Sequence, residues 1–513
     1  MATRKDQLDA FVFARRRMVS NLVAPSPTGS DESAPRPIKT FVTSAILSAI
    51  AVAGVAVLGV FKPSAPSGWE SGLAVDSSSG AAYVYSPQDK ELHPLLNITS
   101  ARLLLGDKFK KFDVPDNVIN GSDVVMGAPI GIPGAPQDVP TAGNVDLTQW
   151  TLCLDSANHG DQTQSHGKTI LEVGYTAGKD STASQYTAFV VHDPQNRNYL
   201  VTGDYAYPIQ DNGVLNPLTS VFVGPDKAEG PWVSNAWLKA FRPGTPLQLP
   251  TVQGLGEPLG SLPNPQPGHH IGDYGTLPGA NGQQVGYIET AGGLVEVNYF
   301  VYTLYKAGPA GSDSHARQIQ LNESEIVKAA PKDELTSPTS LLNAGSDWPQ
   351  NMVTTLDADG KTPGFGVLCV NFSASTSAGA FDGDLPHLTL LYGDQLPQSL
   401  PNGVTVQGTG QDVADYVLVK AGHAALAQDV SGGNNKNSGP EYLVTETGIR
   451  YLMTSSAKLP GAGADAQPVS AAHMLQYDKV QVTPVPSNWI RLVRPGADLN
   501  PTDAGKSPPL AAD

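Results

Sequence analysis

Residues Tyr199–Thr202 read YLVT, and Tyr442–Thr445 read the same four letters. A segment that opens with Trp237 and turns at Arg-Pro-Gly also returns, opening this time with Trp489. Similar segments in a constant order indicate repeated structural units. The spacing grows from the first pair to the second, as insertions in surface loops would cause.

Two earlier pairs of segments resemble each other in the same order. Ala82–Ser86 (AYVYS) resembles Tyr299–Thr303 (YFVYT), and Trp150–Cys153 (WTLC) resembles Gly366–Cys369 (GVLC). Their β-branched and aromatic residues predict strands. Chance explains any single four-residue match, but four ordered pairs favour a duplication. The predicted order is module A, a cysteine strand and module B, followed by A′, a second cysteine strand and B′, each module being a small α+β unit.

Cys153 and Cys369 are the two cysteines of the chain. They are too few for a disulfide scaffold or for a cysteine-only zinc site. If a pseudo-two-fold axis relates the halves, a bond between equivalent cysteines lies near that axis. The sequence therefore predicts a Cys153–Cys369 disulfide between two central strands, with two buried thiols as the alternative.

A membrane anchor is predicted for Thr40–Phe61 (TFVTSAILSAIAVAGVAVLGVF), a run of 22 residues without a charge. A helix of that length crosses a hydrocarbon core of ~30 Å. A cleaved signal peptide is the rival interpretation, but its apolar region is usually shorter. Basic residues concentrate before the run, which predicts a cytoplasmic N-terminus and an extracytoplasmic C-terminal domain. In that oxidising compartment a disulfide can persist.

The segment before the anchor has helical periodicity behind a capping-type Thr3 and Asp6. We expect a short amphipathic helix whose Arg15, Arg16 and Arg17 contact anionic lipid or an acidic partner, the alternative being ordinary positive-inside charge. In the anchor, small residues such as Gly54 and Gly59 suit packing against other membrane subunits, although such residues also occur in spans that touch only lipid.

The composition excludes several function classes. The net charge is -16, although the segment before the anchor is basic, so the extracytoplasmic part is strongly acidic. An acidic surface repels phosphate backbones, and nucleic-acid binding is therefore not expected. With 53 Gly and 43 Pro, the chain favours short strands joined by turns.

Catalytic motifs are incomplete. The phosphate-binding loop needs a Gly, four further residues and then Gly-Lys-Ser/Thr, and the segments at Lys168, Lys361 and Lys506 lack that first Gly. His269 and His270 are adjacent, and on a strand they point to opposite faces, which disfavours a shared metal. We predict no catalytic, cofactor-binding or metal-binding residues.

Across almost its whole length the sequence resembles the EccB family, the membrane-anchored B component of the actinobacterial type VII (ESX) secretion core. The resemblance is carried by the N-terminal basic helix before one span and by several ordered motifs: Leu92–Asn97 (LHPLLN) with Thr99–Leu103 (TSARL), Gly131–Pro136 (GIPGAP) ahead of Trp150–Cys153, Val285-Gly286, and Tyr442–Thr445 with Thr447-Gly448.

The resemblance implies a structural and interaction subunit that works with the other core components EccC, EccD and EccE, and with copies of itself, to export small WXG-type helical-hairpin proteins. The family is sometimes labelled an ATPase. An ATP-hydrolysing subunit is therefore one alternative, with ATP as its cofactor, and a cell-wall ligand-binding or sensing domain with exposed Tyr83, Tyr85, Tyr299 and Tyr302 is another.

The expected fold class is α+β: one N-terminal transmembrane helix, then a β-rich, duplicated extracytoplasmic domain with four repeat modules around a disulfide-linked central domain. The predicted boundaries are 1–39 (basic helix and linker), 40–61 (transmembrane helix), 62–112 (module A), 113–190 (central domain, first part), 191–250 (module B), 251–290 (central domain, second part), 291–335 (module A′), 336–430 (central domain, third part), 431–500 (module B′) and 501–513 (flexible tail).

Overall fold

The computed structural model describes most of the chain, with gaps. The described residues are 3–23, 37–60, 65–121, 124–155, 167–175, 187–210, 213–215, 217–218, 231–259, 268–279, 284–322, 344–351, 367–373, 381–382, 385–393, 396, 412–430, 439–456 and 468–508. They belong to two compact units. The first comprises Met1–Ser67, Asp76–Ser78 and Asp113–Gly121, and the second comprises Gly68–Val75, Ser79–Phe112 and Ser122–Asp513.

The helices that lie wholly within the described residues are mostly short. They are Arg4–Val23, Pro37–Val60, Ile98–Leu105, Asp116–Ile119, Asn235–Leu238, Tyr299–Ala307, Pro309–Ser312, Ala471–Met474, Ser487–Leu492 and Pro501–Ala504, with 3₁₀ turns at Trp69–Ser71, Gly106–Lys108 and Ala142–Asn144.

Strands dominate the second unit. They are β1 Leu73–Asp76, β2 Ala82–Ser86, β3 Glu91–Pro94, β4 Lys111–Val114, β5 Val125–Met126, β6 Gln149–Asp155, β7 Lys168–Val173, β8 Ala188–His192, β9 Asn198–Thr202, β10 Tyr205–Pro208, β11 Arg242–Pro243, β12 Tyr274–Pro278, β13 Gln284–Thr290, β14 Gly293–Val297, β15 Val367–Ser373, β16 Phe381–Asp382, β17 Leu385–Pro386, β18 Thr389–Gly393, β19 Tyr416–Val419, β20 Ala424–Val430, β21 Glu441–Thr445, β22 Ile449–Met453, β23 Ser455–Ser456, β24 Val469–Ser470, β25 Thr483–Pro486 and β26 Arg494–Pro495.

The N-terminal helix Arg4–Val23 begins where the sequence predicts. The Thr3 backbone N–H and hydroxyl both donate to Asp6 Oδ2, at 2.9 and 2.7 Å. This carboxylate thus satisfies a free N–H at the helix start and complements the helix dipole. The second helix, Pro37–Val60, covers most of the predicted anchor. Within the part of the chain that the structure describes, no helix combines the length and apolar character that crossing a membrane requires.

The central sheet has the strand order β18-β15-β6-β7-β19. Its middle pair, β6 and β15, is antiparallel and places Cys153 directly opposite Cys369. Both strands are buried along most of their length because side chains of other elements cover both faces. A strand covered on both faces reads as a nearly continuous apolar run, as TLCL and VLCV do here.

Two further sheets share one plan. The order β11-β10-β9-β8 forms the first B sheet, and β25-β20-β21-β22-β26 forms the second B sheet. In each, three consecutive antiparallel strands lead to a helix that carries a buried Trp, and an Arg-Pro strand then returns parallel to the third strand. The matching pairs are Tyr205↔Arg242 and Ile449↔Arg494, followed by the isolated bridges Ile209↔Leu247 and Met453↔Leu499.

The remaining large sheets are the A sheet, ordered β4-β1-β2-β3-β5, and the A′ sheet, ordered β12-β13-β14. Each B sheet buries one face in a core with the central sheet and its other face in a second core. For the first B sheet, Phe189 and Val191 join the central core, whereas Val190 lies in a cluster with A′ residues such as Phe300. For the second, Leu426 lies with Leu103 of the A module. A therefore packs with B′, and A′ packs with B.

Residues Tyr299–Thr303 form the start of a helix, so the strand predicted from their match with Ala82–Ser86 was wrong. The Asn298 side chain accepts a hydrogen bond from the Val301 N–H at 2.8 Å and caps the helix. The buried side chains of this helix recur at helical rather than alternating spacing. Aromatic residues that favour strands locally are held in a helix because that face fills the core with the first B sheet.

The predicted flexible tail, 501–513, contains a helix in its described part. Asn500 caps Pro501–Ala504 by accepting from the Thr502 and Asp503 N–H groups, and Pro501 stands at the first helical position, where its missing N–H costs nothing. Ala504 is buried in the core that A and B′ share. The tail is thus part of the fold up to Pro508, and residues 509–513 lie outside the described range, as does most of the predicted linker before the anchor.

Candidate interaction site

The disulfide predicted from the duplication is present. Cys153 and Cys369 are joined by a bond of 2.01 Å, with their Cα atoms 4.0 Å apart. They face each other on neighbouring antiparallel strands, where side chains come closest at non-hydrogen-bonded positions. Both are buried, at 0% and 3% exposure, among Val367 and Leu391. The bond crosslinks strands separated by 216 residues in sequence, and it therefore ties the two halves together.

The predicted partner contacts lie on the two N-terminal helices. Arg15, Arg16 and Arg17 are exposed on Arg4–Val23, and so are large apolar residues of that helix such as Phe11 and Leu22. Gly54 and Gly59 lie within Pro37–Val60, in a part of that helix for which no side-chain environment is described. The contacts expected of these five residues remain predictions.

Lysines of the incomplete phosphate-binding motifs do not share a common setting. Lys168 is the first residue of strand β7, and its neighbour Thr169 hydrogen-bonds Ser234 at 2.6 Å. Lys506 follows a one-turn helix and pairs with Asp503 at 2.6 Å. Lys361 lies outside the described residues. Neither described lysine opens a helix, which is where a phosphate-binding loop presents its N–H groups.

The two adjacent histidines have separate partners. His269 Nδ1 lies 3.1 Å from Glu289, while His270 Nδ1 lies 2.7 Å from an Arg317 nitrogen. Asp273, which is fully buried, accepts from the backbone N–H groups of His270 and Arg317 and from the Arg317 guanidinium. This cluster fastens two loops of the A′ module together.

The tyrosines considered as exposed aromatics are mostly covered. Tyr302 is buried at 4% exposure, and Tyr83, Tyr85 and Tyr299 are half-buried. Burial raises the pKa of Tyr302 to about 12, with the neighbouring Tyr274 and Tyr299 adding to the effect. Tyr302 therefore serves the core between the A′ module and the first B sheet, not a solvent-facing binding platform.

A cleft of about 730 Å³ lies between the first and second B sheets. Its lining includes four cations and one acid: Arg197, Lys239, Arg242, Arg491 and Asp412. Aromatic and aliphatic groups, among them Tyr199, Phe241 and Pro486, complete the walls. The acid in this lining, Asp412, is ion-paired with Lys239, so these two charges offset each other within the cleft.

The cations of the cleft are positioned by specific contacts. Arg197 Nε donates to Asp193 Oδ2 at 2.6 Å, and Asp193 is fully buried. That hydrogen bond raises the pKa of the Arg197 guanidinium. The Arg242 guanidinium lies over the Tyr205 ring, 5.8 Å from its centroid, and 3.9 Å from Asp204. Arg242 belongs to the repeated Arg-Pro-Gly segment, and Tyr199 of the cleft wall belongs to the repeated YLVT segment.

The motifs LHPLLN, TSARL and GIPGAP of the first half are joined by buried hydrogen bonds. Asn97 caps helix Ile98–Leu105 by accepting from the Ser100 N–H at 2.9 Å, and its Nδ2 donates to the Ile132 carbonyl at 2.9 Å. The Thr99 hydroxyl donates to the Pro136 carbonyl at 2.7 Å. LHPLLN, TSARL and GIPGAP are therefore parts of one structural clamp.

Comparison with known proteins identifies the family. The model of "Type VII secretion system ESX-1, transport TM domain B" matches residues 1–507. The chain is 26% identical over 475 residues to "ESX-1 secretion system ATPase EccB1" of Mycolicibacterium smegmatis (strain MKD8), covering 91% of this chain and 90% of that protein. It is 25% identical over 480 residues to "ESX-3 secretion system ATPase EccB3" of Mycobacterium tuberculosis (strain ATCC 25618 / H37Rv), covering 90% and 82%.

Solved structures share the fold. A chain of an intact ESX-5 inner membrane complex is similar with a TM-score of 0.60 at 20% identity, covering 100% of this chain and 97% of that one. A structure of an EccB3 dimer from the ESX-3 core complex is similar with a TM-score of 0.58 at 22% identity, covering 85% and 99%. Together with the family match over residues 1–507, these likenesses place the chain in the EccB family of type VII (ESX) secretion systems.

Proposed function

We propose that this chain is a structural and interaction subunit of a type VII (ESX) secretion membrane complex, and that it supports export of small WXG-type helical-hairpin proteins. The observation that supports this proposal is the crosslinked core of the fold. One disulfide joins the two halves, and each B sheet shares a core both with the central sheet and with an A-type module. Such shared cores favour a rigid body that presents surfaces to partners.

The architecture is that of a duplicated domain. The paired topologies of the B sheets, the crossed packing of A with B′ and of A′ with B, and the central disulfide all support a pseudo-two-fold arrangement of four modules. Structures with matching folds come from an inner membrane complex and from a dimer, which supports other core subunits and a second copy of this chain as partners. By resemblance to the EccB family, the expected core subunits are EccC, EccD and EccE.

The proposed topology is a single span within Thr40–Phe61, with helix Arg4–Val23 in the cytoplasm and the β-rich domain outside. The uncharged run and the basic residues before it support this orientation. Arg15, Arg16 and Arg17 then face anionic lipid or an acidic partner subunit, and Gly54 and Gly59 provide close-packing surfaces within the membrane.

Export provides the test of this function. A strain of the native host without this gene should lose secretion of WXG-type proteins, and a plasmid copy should restore it. Secretion that continues unchanged in the deletion strain, with no second copy of the gene present, would contradict the proposal.

Nucleotide hydrolysis is the second function to test, because the names of the relatives call them ATPases. Among the described residues the lysines of the partial motifs occupy a strand start and a surface turn, which does not favour phosphate binding. We expect purified protein to show the same residual ATP turnover before and after Lys168→Ala and Lys506→Ala. A large loss of ATP turnover in either variant would instead support an ATP-hydrolysing function.

A further inference from the structure

Three possible metal ligands converge at the tip of the β2–β3 hairpin in the A sheet. Asp89 lies in the turn, Glu91 begins β3 and His93 follows two residues later on the same face of the strand. One ligand atom from each lies within 4.8 Å of the other two. Asp89 is exposed and Glu91 is half-buried, so solvent reaches the group, while His93 is buried at 8% exposure.

A hydrogen bond between His93 and a residue outside the three-ligand group sets the tautomer of His93. Its Nδ1 lies 2.8 Å from the carbonyl oxygen of Ala128, which can only accept a hydrogen bond, so Nδ1 carries the proton. In a neutral imidazole, Nε2 then presents a lone pair. That lone pair faces Asp89 Oδ2 at 3.0 Å, and a carboxylate is also an acceptor.

Two acceptors at this distance need a positive charge between them. A metal ion bound by one ligand atom from each of the three residues, atoms that all lie within 4.8 Å of one another, would supply that charge. A histidine that ligates a metal commonly donates its other N–H to a backbone carbonyl, which is what His93 does with Ala128. For metal bonds of ~2.0 to 2.2 Å in a tetrahedral site, neighbouring ligand atoms lie ~3.4 Å apart, which falls between the 3.0 Å from His93 Nε2 to Asp89 Oδ2 and the 4.8 Å that bounds the group.

The side chains of His93 and Glu91 occupy space that is free because residue 127 is a glycine. A Cβ on Gly127 would lie 2.4 Å from His93 Cε1 and 2.7 Å from Glu91 Oε2. Any larger residue at 127 would therefore push both side chains out of place. One imidazole and two carboxylates form a donor set suited to Zn²⁺ or Mn²⁺ more than to Ca²⁺ or Cu⁺.

We propose that Asp89, Glu91 and His93 bind a divalent transition-metal ion of the Zn²⁺ type, with water in the open coordination positions. The ion ties the exposed hairpin turn to buried His93 and, through it, to the Gly127–Ala128 segment. It is a structural fastening of the first module and is independent of the secretion role proposed above.

Metal uptake by the full-length protein in mild detergent tests this site. After treatment with a chelator and removal of that chelator, the protein is titrated with Zn²⁺, and separately with Co²⁺ as a spectroscopic probe. Bound metal is then measured after gel filtration. We expect about one tightly held ion per chain in the wild type, and at least a tenfold weaker affinity in His93→Gln and Glu91→Gln.

The matched control is His315→Gln. His315 also pairs with an aspartate, its Nδ1 lying 2.7 Å from Asp313, but it is exposed and does not belong to a three-ligand group among the described residues. Its replacement should leave the affinity unchanged. If His93→Gln fails to fold, the half-buried Glu91→Gln variant decides the question. Equal metal uptake by wild type and Glu91→Gln, or no uptake by the wild type, would overturn the site.

Discussion

The indole Nε1 of Trp489 donates a hydrogen bond to the backbone carbonyl of Ala240, 2.9 Å away. This bond joins the helix of the second B sheet to the loop after the corresponding helix of the first. Trp237, at the matching place in the first B sheet, has no such bond: its Nε1 is buried and has no hydrogen-bond partner in the described part of the chain. The carbonyl equivalent to that of Ala240, on Leu492, accepts instead from the Ala414 N–H at 3.0 Å.

Two matched substitutions test this asymmetry. Trp489→Phe removes a buried hydrogen bond and leaves the Ala240 carbonyl unpaired, whereas Trp237→Phe removes no hydrogen bond from an equally buried ring. We expect Trp489→Phe to lower the free energy of unfolding by about 1 to 2 kcal/mol more than Trp237→Phe. Urea unfolding of both variants measures the difference, and equal losses would show that the Trp489 bond contributes nothing.

The helix caps Asn97 in the A module and Asn298 in the A′ module should differ in how much they stabilise the fold. Asn97→Ala removes a cap and also the buried bond to the Ile132 carbonyl, while Asn298→Ala removes only the cap bond to the Val301 N–H. A lost cap costs about 1 kcal/mol, and an unpaired buried carbonyl adds about 1 to 3 kcal/mol. Unfolding of the two variants should therefore rank Asn97→Ala as the more damaging. The reverse order would contradict the clamp described for the LHPLLN motif.

The disulfide should contribute a large part of the stability of the β-rich domain. Closing a loop of 216 residues is worth up to ~5 kcal/mol in the chain-entropy model. Reduction should therefore shift urea unfolding to lower concentration, and a Cys153→Ala, Cys369→Ala double variant should behave like the reduced protein in either redox state. Identical unfolding of oxidised and reduced wild type would show that the crosslink does not stabilise the fold.

Alkaline pH should weaken the core around Tyr302. Burial raises its pKa to about 12 from the ordinary 10.0, so as pH rises the unfolded chain loses this proton before the folded chain does. The stability due to the neutral phenol is complete below pH ~10 and is lost as pH rises through ~12. Tyr302→Phe should remove up to about 2 to 3 kcal/mol of this loss.

Comparison of stability at two pH values isolates this effect. The wild type and Tyr302→Phe are unfolded at neutral pH and again at pH ~11, so that each variant is its own reference for packing changes. The difference between them should shift in favour of Tyr302→Phe at the higher pH. An unchanged difference would show that Tyr302 titrates alike in the folded and unfolded states.

The parts of the fold that depend on local sequence pattern and on repetition could be predicted from the sequence. The cysteine strands and the repeated YLVT strands lie where their residues predict, whereas the Arg and Pro of the predicted Arg-Pro-Gly turn form a short strand in each B sheet. The strand predicted at Tyr299 failed because its aromatic residues satisfy both strand and helix preferences, and only the Asn298 cap and the core decide between them. Matching Asn97 with Asn298 would have aligned the A and A′ modules correctly.

The cleft and the His93 group were not predictable in the same way. The cleft cations come from segments as distant as Arg197 and Arg491, and no local pattern links them. His93 lies within a motif that was recognised only as a family marker. Its approach to Asp89 and Glu91 depends on the hairpin register, and its tautomer depends on Ala128, which follows 35 residues later. Tertiary contacts of this kind are set by packing, not by sequence spacing.

The most direct test of the account is affinity purification of a tagged copy from the native host in mild detergent, with mass spectrometry of the proteins that accompany it. We predict recovery of the EccC, EccD and EccE components of one ESX system in reproducible stoichiometry, with loss of that set when residues 1–61 are removed. Recovery of the chain alone from membranes in which those components are present would contradict its assignment as a subunit of the secretion complex.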